Sequence, residues 1–450
     1  ICLKEWDMTS KVQYLGGIAA IAKNTTFDGC SWNGKLHQSA KAVMDGHEAV
    51  TDNANYGFVG GIAAFAQECT FTECTFDGQI SATGKCIGGI TGYARNSTIT
   101  KCSATVASEV YTSYHCAGSI VGAMTQNSKV SECSSSGKAA SFNHCGGIAG
   151  YLQNGTVEKS VVSSSAMISG RQFNIGGIVG VTMPKEGETA SVDRCTAYAD
   201  VTGQYCVGGI VGNIDGNDAG GKVYITNSTY KGGTISATGT NDSKYSLIGG
   251  VVGWLTHTNT IVIENCMSAP ALIATGIQQS AQGKITESIG GTGGIFGFNH
   301  NNKTTYVANC YTTTTLSELS YKAKAPTTSS DYTVWGLAVG RNSVANSGSA
   351  ANYYNSDNEG RGIAEGQTPA NLEGLTMAQM TDGTLLGKLN AGTADLQSEN
   401  AASWTAATGA YPMLDCVIAD PQPRNNTAKR VSVIGDSISS FAGYIPAGYN

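Results

Sequence analysis

The chain has 450 residues, a formal net charge of −6 and only 13% charged residues, about half the usual share. No Lys/Arg cluster is present, which argues against a nucleic-acid partner, and no apolar run is long enough to span a bilayer. The 59 Gly and 8 Pro follow no collagen period. Runs such as Val223-Tyr224-Ile225-Thr226 and Thr260-Ile261-Val262-Ile263 are β-branched and bounded by Gly, Asn and Ser, so strands dominate. Helical periodicity is nearly absent before about residue 370. Residue 1 is Ile and no signal peptide is visible, as expected of a mature or trimmed fragment. Low charge with many Ser, Thr and Asn fits an extracellular or cell-surface protein.

From the N-terminus the chain repeats one phrase, Gly-Gly-Ile-x-Gly. It stands at 88–92, 146–150, 176–180 and 208–212, with variants at 118–122, 249–253 and 293–297. Gly16-Gly17-Ile18 and Gly60-Gly61-Ile62 begin the series, and Gly336-Leu337-Ala338-Val339-Gly340 is a worn tenth member. A second column follows in step, an apolar residue and then Cys or Ser three positions on. Its pairs run from Phe27/Cys30, Phe71/Cys74, Ile99/Cys102 and Val130/Cys133 through Val157/Ser160, Val192/Cys195 and Ile225/Ser228 to Ile263/Cys266 and Val307/Cys310. Tyr353 would close the tenth unit.

Early anchors stand about 28–30 residues apart and later ones farther, which suits one coil of a solenoid better than a propeller blade. The predicted fold is all-β, a parallel β-solenoid of about nine to ten coils, its Ile, Val and Phe columns pointing inward. At about 4.8 Å per coil, nine coils make a rod on the order of 40 Å long. The anchors and their Cys column resemble the GLUG-motif repeat family of bacterial surface proteins, over roughly residues 16–354. That resemblance implies a cell-surface or secreted location and no particular chemistry.

Seven of the 14 Cys lie in the second column, and Ser replaces Cys at 160 and 228. This predicts a ladder of small buried thiols rather than obligate disulfides, because Cβ atoms about 4.8 Å apart exceed the roughly 3.8 Å a disulfide prefers. Cys86, Cys116, His144, Asn174 and Cys206 form another column before the anchors. A metal site there is weighed against small or polar residues at a strand edge, and the second reading is adopted. Cys86 and Cys116 are the pair best placed for a disulfide. Asn355-x-Asp357-x-Glu359-Gly360 and Asp215-Gly216-Asn217-Asp218 alternate like calcium loops but read as turns, since the first lacks an acid at its twelfth position. No cofactor and no metal is predicted.

After Tyr354 the pattern changes. Residues 381–390 read as a short amphipathic helix, with another near 377–380. Leu385, Leu386, Leu389, Trp404 and Leu414 supply a compact apolar set. The predicted division is a solenoid at 1–358, a small mixed cap over the last coil at 359–418, a linker at 419–430, and a further segment at 431–450. In that segment a strand, Val431-Ser432-Val433-Ile434, runs into Gly435-Asp436-Ser437. This resembles the opening block of the SGNH (GDSL) hydrolases, an α/β family of esterases and carbohydrate deacetylases. The resemblance implies Ser437 as nucleophile, Gly435 allowing the turn and Asp436 bracing it. The family's later blocks, including its Asp and His, are not in this sequence, whose last His is His300. The expected hydrolase body lies beyond Asn450, and this chain is expected to be inactive.

The function expected is a non-catalytic module that spaces or targets such a hydrolase, with a glycan or other cell-surface ligand as partner. The alternative is an adhesin or structural surface protein whose Gly-Asp-Ser is incidental. A lyase or hydrolase acting on the solenoid face is weaker, since acid pairs such as Asp215 and Asp218 are few. No aromatic stripe is evident to mark a glycan site.

Overall fold

The computed structural model describes residues 2–10, 14–38, 57–216, 220–237, 247–256, 260–274, 291–300, 304–314, 335–342, 350–358, 362–366 and 371–421. Every coil is built alike. In the third, Cys86–Gly88 enters the anchor, Thr91–Arg95 leaves it, Thr98–Thr100 carries the apolar column, and Ser103–Ala104 and Glu109–Thr112 close the circuit. Each strand pairs in parallel with its counterpart in the next coil, as in Cys86 with Cys116, Tyr93 with Ala123, Ile99 with Val130 and Ser103 with Ser134. The entering strands form a ladder of ten, the leaving strands one of eleven and the apolar-column strands one of nine. Numbered from 14–38 as coil 1, with coils 2 to 9 beginning at 58, 86, 116, 145, 175, 206, 247 and 291, ten coils are described. Ile363–Gly366 and Leu372–Leu375 add part of an eleventh, and Cys2–Ser10 pairs in parallel with Ser31–Gln38 at the other end.

The anchor isoleucines stack as one interior row. Ile90 N donates to Ile120 O at 2.9 Å, Ile120 N to Ile148 O at 3.2 Å, Ile148 N to Ile178 O at 3.0 Å and Ile178 N to Ile210 O at 3.0 Å. All five side chains are fully buried. No coil could cover this row alone, so its burial comes from the coils above and below. The second anchor Gly is demanded by packing rather than by a positive φ. A Cβ on Gly89 would lie 2.2 Å from Ser119 O and 2.7 Å from the Phe76 ring.

The Cys column is a ladder of free, buried thiols. Thirteen of the cysteines, Cys86 and Cys116 among them, are unbridged. Sγ of Cys133 donates weakly to Ser131 O and Ile99 O, and Cys195, Cys266 and Cys310 repeat the pattern. At the two exceptions the hydroxyl does the same work better. Ser160 and Ser228 donate to Glu158 O and Thr226 O at 2.8 Å and accept from Cys133 N and Cys195 N at 3.1 Å. One position of the predicted column is corrected. Tyr353 pairs with Tyr311, so Asn352 continues the column, and its Oδ1 accepts from Cys310 N at 3.0 Å. A thiol titration with no reductant should therefore find these cysteines unreactive while the chain is folded and free after denaturation. Disulfide-shifted bands with few free thiols would contradict the ladder.

Of the expected apolar set, Leu385, Leu389, Trp404 and Leu414 are buried and Leu386 is half-buried, and among the described residues their contacts lie on the flank of the rod. Helices α1 (Met377–Thr381) and α2 (Thr384–Gly392) bring Leu385 and Leu389 against Met267, Tyr311 and Tyr353, with Trp404 and Leu414 in the same cluster. Those three residues occupy one outward position on coils 8, 9 and 10. From there the chain runs back down the flank. Asn400 O receives Asn227 on coil 7, Ile418 O receives Tyr198 on coil 6, and Asp420 receives Ser164 N on coil 5. The segment is a lateral strap, and three buried asparagines seat it. Asn309 donates to Leu389 O at 3.0 Å and Asn265 to Ala402 O at 2.9 Å, while Asn227 accepts from Ala402 N at 2.8 Å. All three have φ between 49° and 55°, the left-handed region that Asn tolerates best after Gly.

Candidate ligand groove

Strands alternate inward and outward residues. On the entering strands Val59, Ile87, Ala117 and Cys145 face the core, so Phe58, Cys86, Cys116 and His144 face out. On the leaving strands the residue after the last anchor position faces out. This gives a register of Phe65, Tyr93, Ala123, Tyr151, Val181, Asn213, Trp254 and Phe298. These two outward columns touch. Phe58 stacks on Tyr93 with ring centroids 5.0 Å apart, Phe65 on Tyr93 at 5.5 Å, and Tyr14 meets Phe58 edge-on at 5.6 Å.

The contact arises because the wall folds back on itself at the anchor. A Cβ on Gly122 would lie 2.5 Å from Ile87 N on the neighbouring coil, so the last anchor Gly lets leaving strands close over entering strands. The result is a re-entrant groove along the outside of the rod. Its floor is buried: Phe58, Tyr93 and Tyr151 keep at most 7% exposure. Its rim is partly open at Tyr14, Phe65, His115, Phe173, Trp254 and Phe298. In coils 6 to 9 a second cluster continues it, with Phe173 and Tyr205 rings 5.1 Å apart beside Cys206, Leu247, Trp254 and Phe298.

The Cys/Cys/His column lies in this floor. Cys116 is held well above the usual thiol range by its contact with Cys86 and by burial. Asn174 donates its amide to His144 Nδ1 at 2.9 Å, and the His144 ring stacks on His115 at 5.5 Å. Burial lowers His115 to about 4, helped by the Lys85 charge, and His144 to about 3, helped by His115 and Lys85. Both rings are neutral at pH 7. Among the described residues, no group of three or more His, Cys, Asp or Glu is arranged to hold a metal ion, and no helix is long and apolar enough to cross a membrane.

The other candidates separate. Asp357 belongs to the strap: its N–H donates to Asn355 Oδ1 and its carboxylate receives Met377 N at 2.7 Å at the start of α1. Glu359 and Gly360 lie outside the described residues. Asp215 accepts from Gly216 N at 2.8 Å and Thr256 Oγ1 at 3.2 Å, while Asn217 and Asp218 lie outside the described residues. So do Gly435, Asp436 and Ser437. The expectation that no aromatic stripe exists is overturned. Its signal was present, since the residue directly after the anchor is aromatic in coils 2, 3, 5, 8 and 9.

Comparison with known proteins adds a motif. Residues 83–110, which make up coil 3 and its approach, match the profile of the GLUG motif. No curated protein matches the chain. A solved structure from Bacteroides ovatus, provisionally described as an immunoglobulin A1 protease, is similar at 16% identity with a TM-score of 0.36, covering 86% of this chain and 87% of that one. The chain is thus a parallel β-solenoid of repeated units, one of which carries the GLUG motif.

Proposed function

We propose that the chain is a non-catalytic, surface-displayed rod that binds a glycan along its outer groove. The observation that carries this reading is the pair of adjoining outward columns, with partly open rings at Phe65, Trp254 and Phe298 on the leaving strands and at Tyr14 and Phe173 on the entering side. A sugar ring has an apolar C–H face that packs on an aromatic ring while its hydroxyls stay in water. Strands stacked about 4.8 Å apart repeat such platforms along the rod, so an extended chain fits better than a compact ligand. Among the described residues of the groove no thiol is poised as a nucleophile: burial helps hold Cys116 and Cys206 above the usual thiol range, and it leaves His115 and His144 too weakly basic to take a thiol proton.

The Gly435-Asp436-Ser437 resemblance supports a second element of the proposal, that the rod spaces or targets an SGNH-type esterase. A Ser hydroxyl needs a base with an orienting partner, and no His follows His300. Two measurements test the pair. Calorimetric titration with linear oligosaccharides should show binding that Phe65→Ala and Phe298→Ala each weaken about tenfold, the scale of one lost aromatic contact. The 450-residue chain should hydrolyse acetyl esters no faster than its Ser437→Ala variant. Unweakened binding in both Ala variants would refute the groove, and Ser437-dependent turnover would refute the non-catalytic reading.

A further inference from the structure

An open cavity of about 440 Å³ lies where the strap meets the middle of the rod, within the range of about 300–1,000 Å³ usual for small-molecule sites. One wall is the strap, at Cys416 and Ile418, and the other is coils 4 to 6, with Val161 buried and Glu132 and Lys159 exposed. Hydrogen bonds hold both sides in place. Ile418 N donates to Thr196 Oγ1 at 3.1 Å, Ile418 O accepts from Tyr198 at 2.8 Å, and the Cys416 thiol donates weakly to Asn227 O at 3.4 Å.

Two departures from the repeat coincide here. The first is apolar. Thr75, Ser103, Ser134, Val161, Thr196 and Thr229 are successive partners in one outward column. Val161 is the apolar member of that run, outward yet only 6% exposed. The second is electrostatic. The corner residue before the Cys column alternates in sign over coils 2 to 5 as Glu73, Lys101, Glu132 and Lys159, and the alternation breaks at coil 6 with Arg194. Two successive cations therefore stand with one acid, Glu132, on the cavity lining. Arg194 is engaged by Asp193 and by Asn400 O of the strap, and Glu158, beside Lys159 in sequence, is taken by Lys129 at 2.9 Å. Burial pushes Cys416 up to about 11, so at pH 7 its thiol is a neutral, polarizable part of the wall.

We propose that this cavity binds an amphipathic monocarboxylate, with its alkyl or aryl body between Val161 and the strap residues Cys416 and Ile418 and its acid group at Lys159. The site is separate from the outer groove and does not depend on the glycan reading. A ligand that touches both walls tightens the strap on the rod, because it binds only where the two are together.

The test is calorimetric titration of the full 450-residue chain with octanoate, 4-phenylbutyrate, 1-octanol and octylamine. The two acids share a head and differ in body; the other two give octanoate's body a neutral and a cationic head. The expected result is binding of one or both acids, about tenfold tighter than octanol, the scale of one hydrogen bond to a charged group, with octylamine weakest. Lys159→Gln should weaken the acid about tenfold and leave octanol unchanged, and Lys159→Arg should restore most of the loss. Lys159 is exposed, so neither change threatens the fold. Ser134→Phe fills the cavity from the rod and Cys416→Phe from the strap, and each should abolish binding; Ser134 is a half-buried strand position that keeps the test decisive if Cys416→Phe loosens the strap. With acid bound, hydrogen exchange over 412–421 should slow. Octanol or octylamine bound as tightly as the acids overturns the carboxylate assignment, as does parental acid affinity in Lys159→Gln. Parental acid affinity in Ser134→Phe puts the ligand elsewhere and overturns the site, unchanged exchange over 412–421 overturns the bridging of strap and rod, and failure of both acids to bind overturns the proposal as a whole.

Discussion

Gly122→Val should abolish the fold or cost it at least about 3 kcal/mol, the upper range for overpacking. The Cβ alone would sit 2.5 Å from Gly92 O and from Ile87 N, and 2.8 Å from Cys86 C. All three atoms are backbone in paired strands, so none can swing aside as a side chain would. Relief requires prying a leaving strand off an entering strand, and that opens the groove as well as the core. Gly387→Ala in α2 is the control. Nothing lies within 4 Å of its added Cβ, so it should gain up to about 1 kcal/mol from helix propensity. Thermal or urea melts of the two variants check both halves. A Gly122→Val melting curve that overlays the parent would refute the re-entrant bend.

Trp404→Ala should cost about 3–5 kcal/mol locally, the range for emptying a large aromatic site, and should free the strap without melting the rod. The indole is 2% exposed, lies 5.4 Å from the Tyr311 ring, and donates Nε1–H to Asn265 Oδ1 at 2.6 Å. Removing it empties the strap's cluster and weakens the asparagine ladder beneath. Solenoid stability is carried by nearest-neighbour coils, so coils 2 to 4 need not respond. Hydrogen exchange should rise sharply over 396–421 and stay slow over 86–141. Exchange that rises everywhere would show the strap to be a structural keystone, and exchange that rises nowhere would show that Trp404 does not hold it.

How much of this was legible in the sequence follows from the range of the interactions. The Ile row and the Cys column repeat with the coil, so both were readable, and Ser160 and Ser228 already argued for unbridged thiols. The tenth unit slipped by one residue because Asn352 keeps the column by a side-chain hydrogen bond, not by resembling Cys. The strap was read as an end cap because Leu385, Leu389 and Trp404 show that they are buried but not against what. Its docking site was nonetheless written in the corner residue before the Cys column. That residue is Glu, Lys or Arg from coil 2 through coil 6 and becomes Asn227, Asn265 and Asn309 on coils 7 to 9, where the strap is seated. The groove was the harder feature. Phe65, Tyr93, Tyr151, Trp254 and Phe298 share one register, yet Ala123, Val181 and Asn213 interrupt it. Only the fold-back at the anchor brings that register against Phe58 and His144.

The most direct measurement is a crystal structure of the 450-residue chain soaked with the linear oligosaccharide that binds tightest. The account predicts sugar rings along the groove between entering and leaving strands, against the partly open rings of Phe65, Trp254 and Phe298. Sugar bound on another face of the rod, with the groove empty, would contradict it.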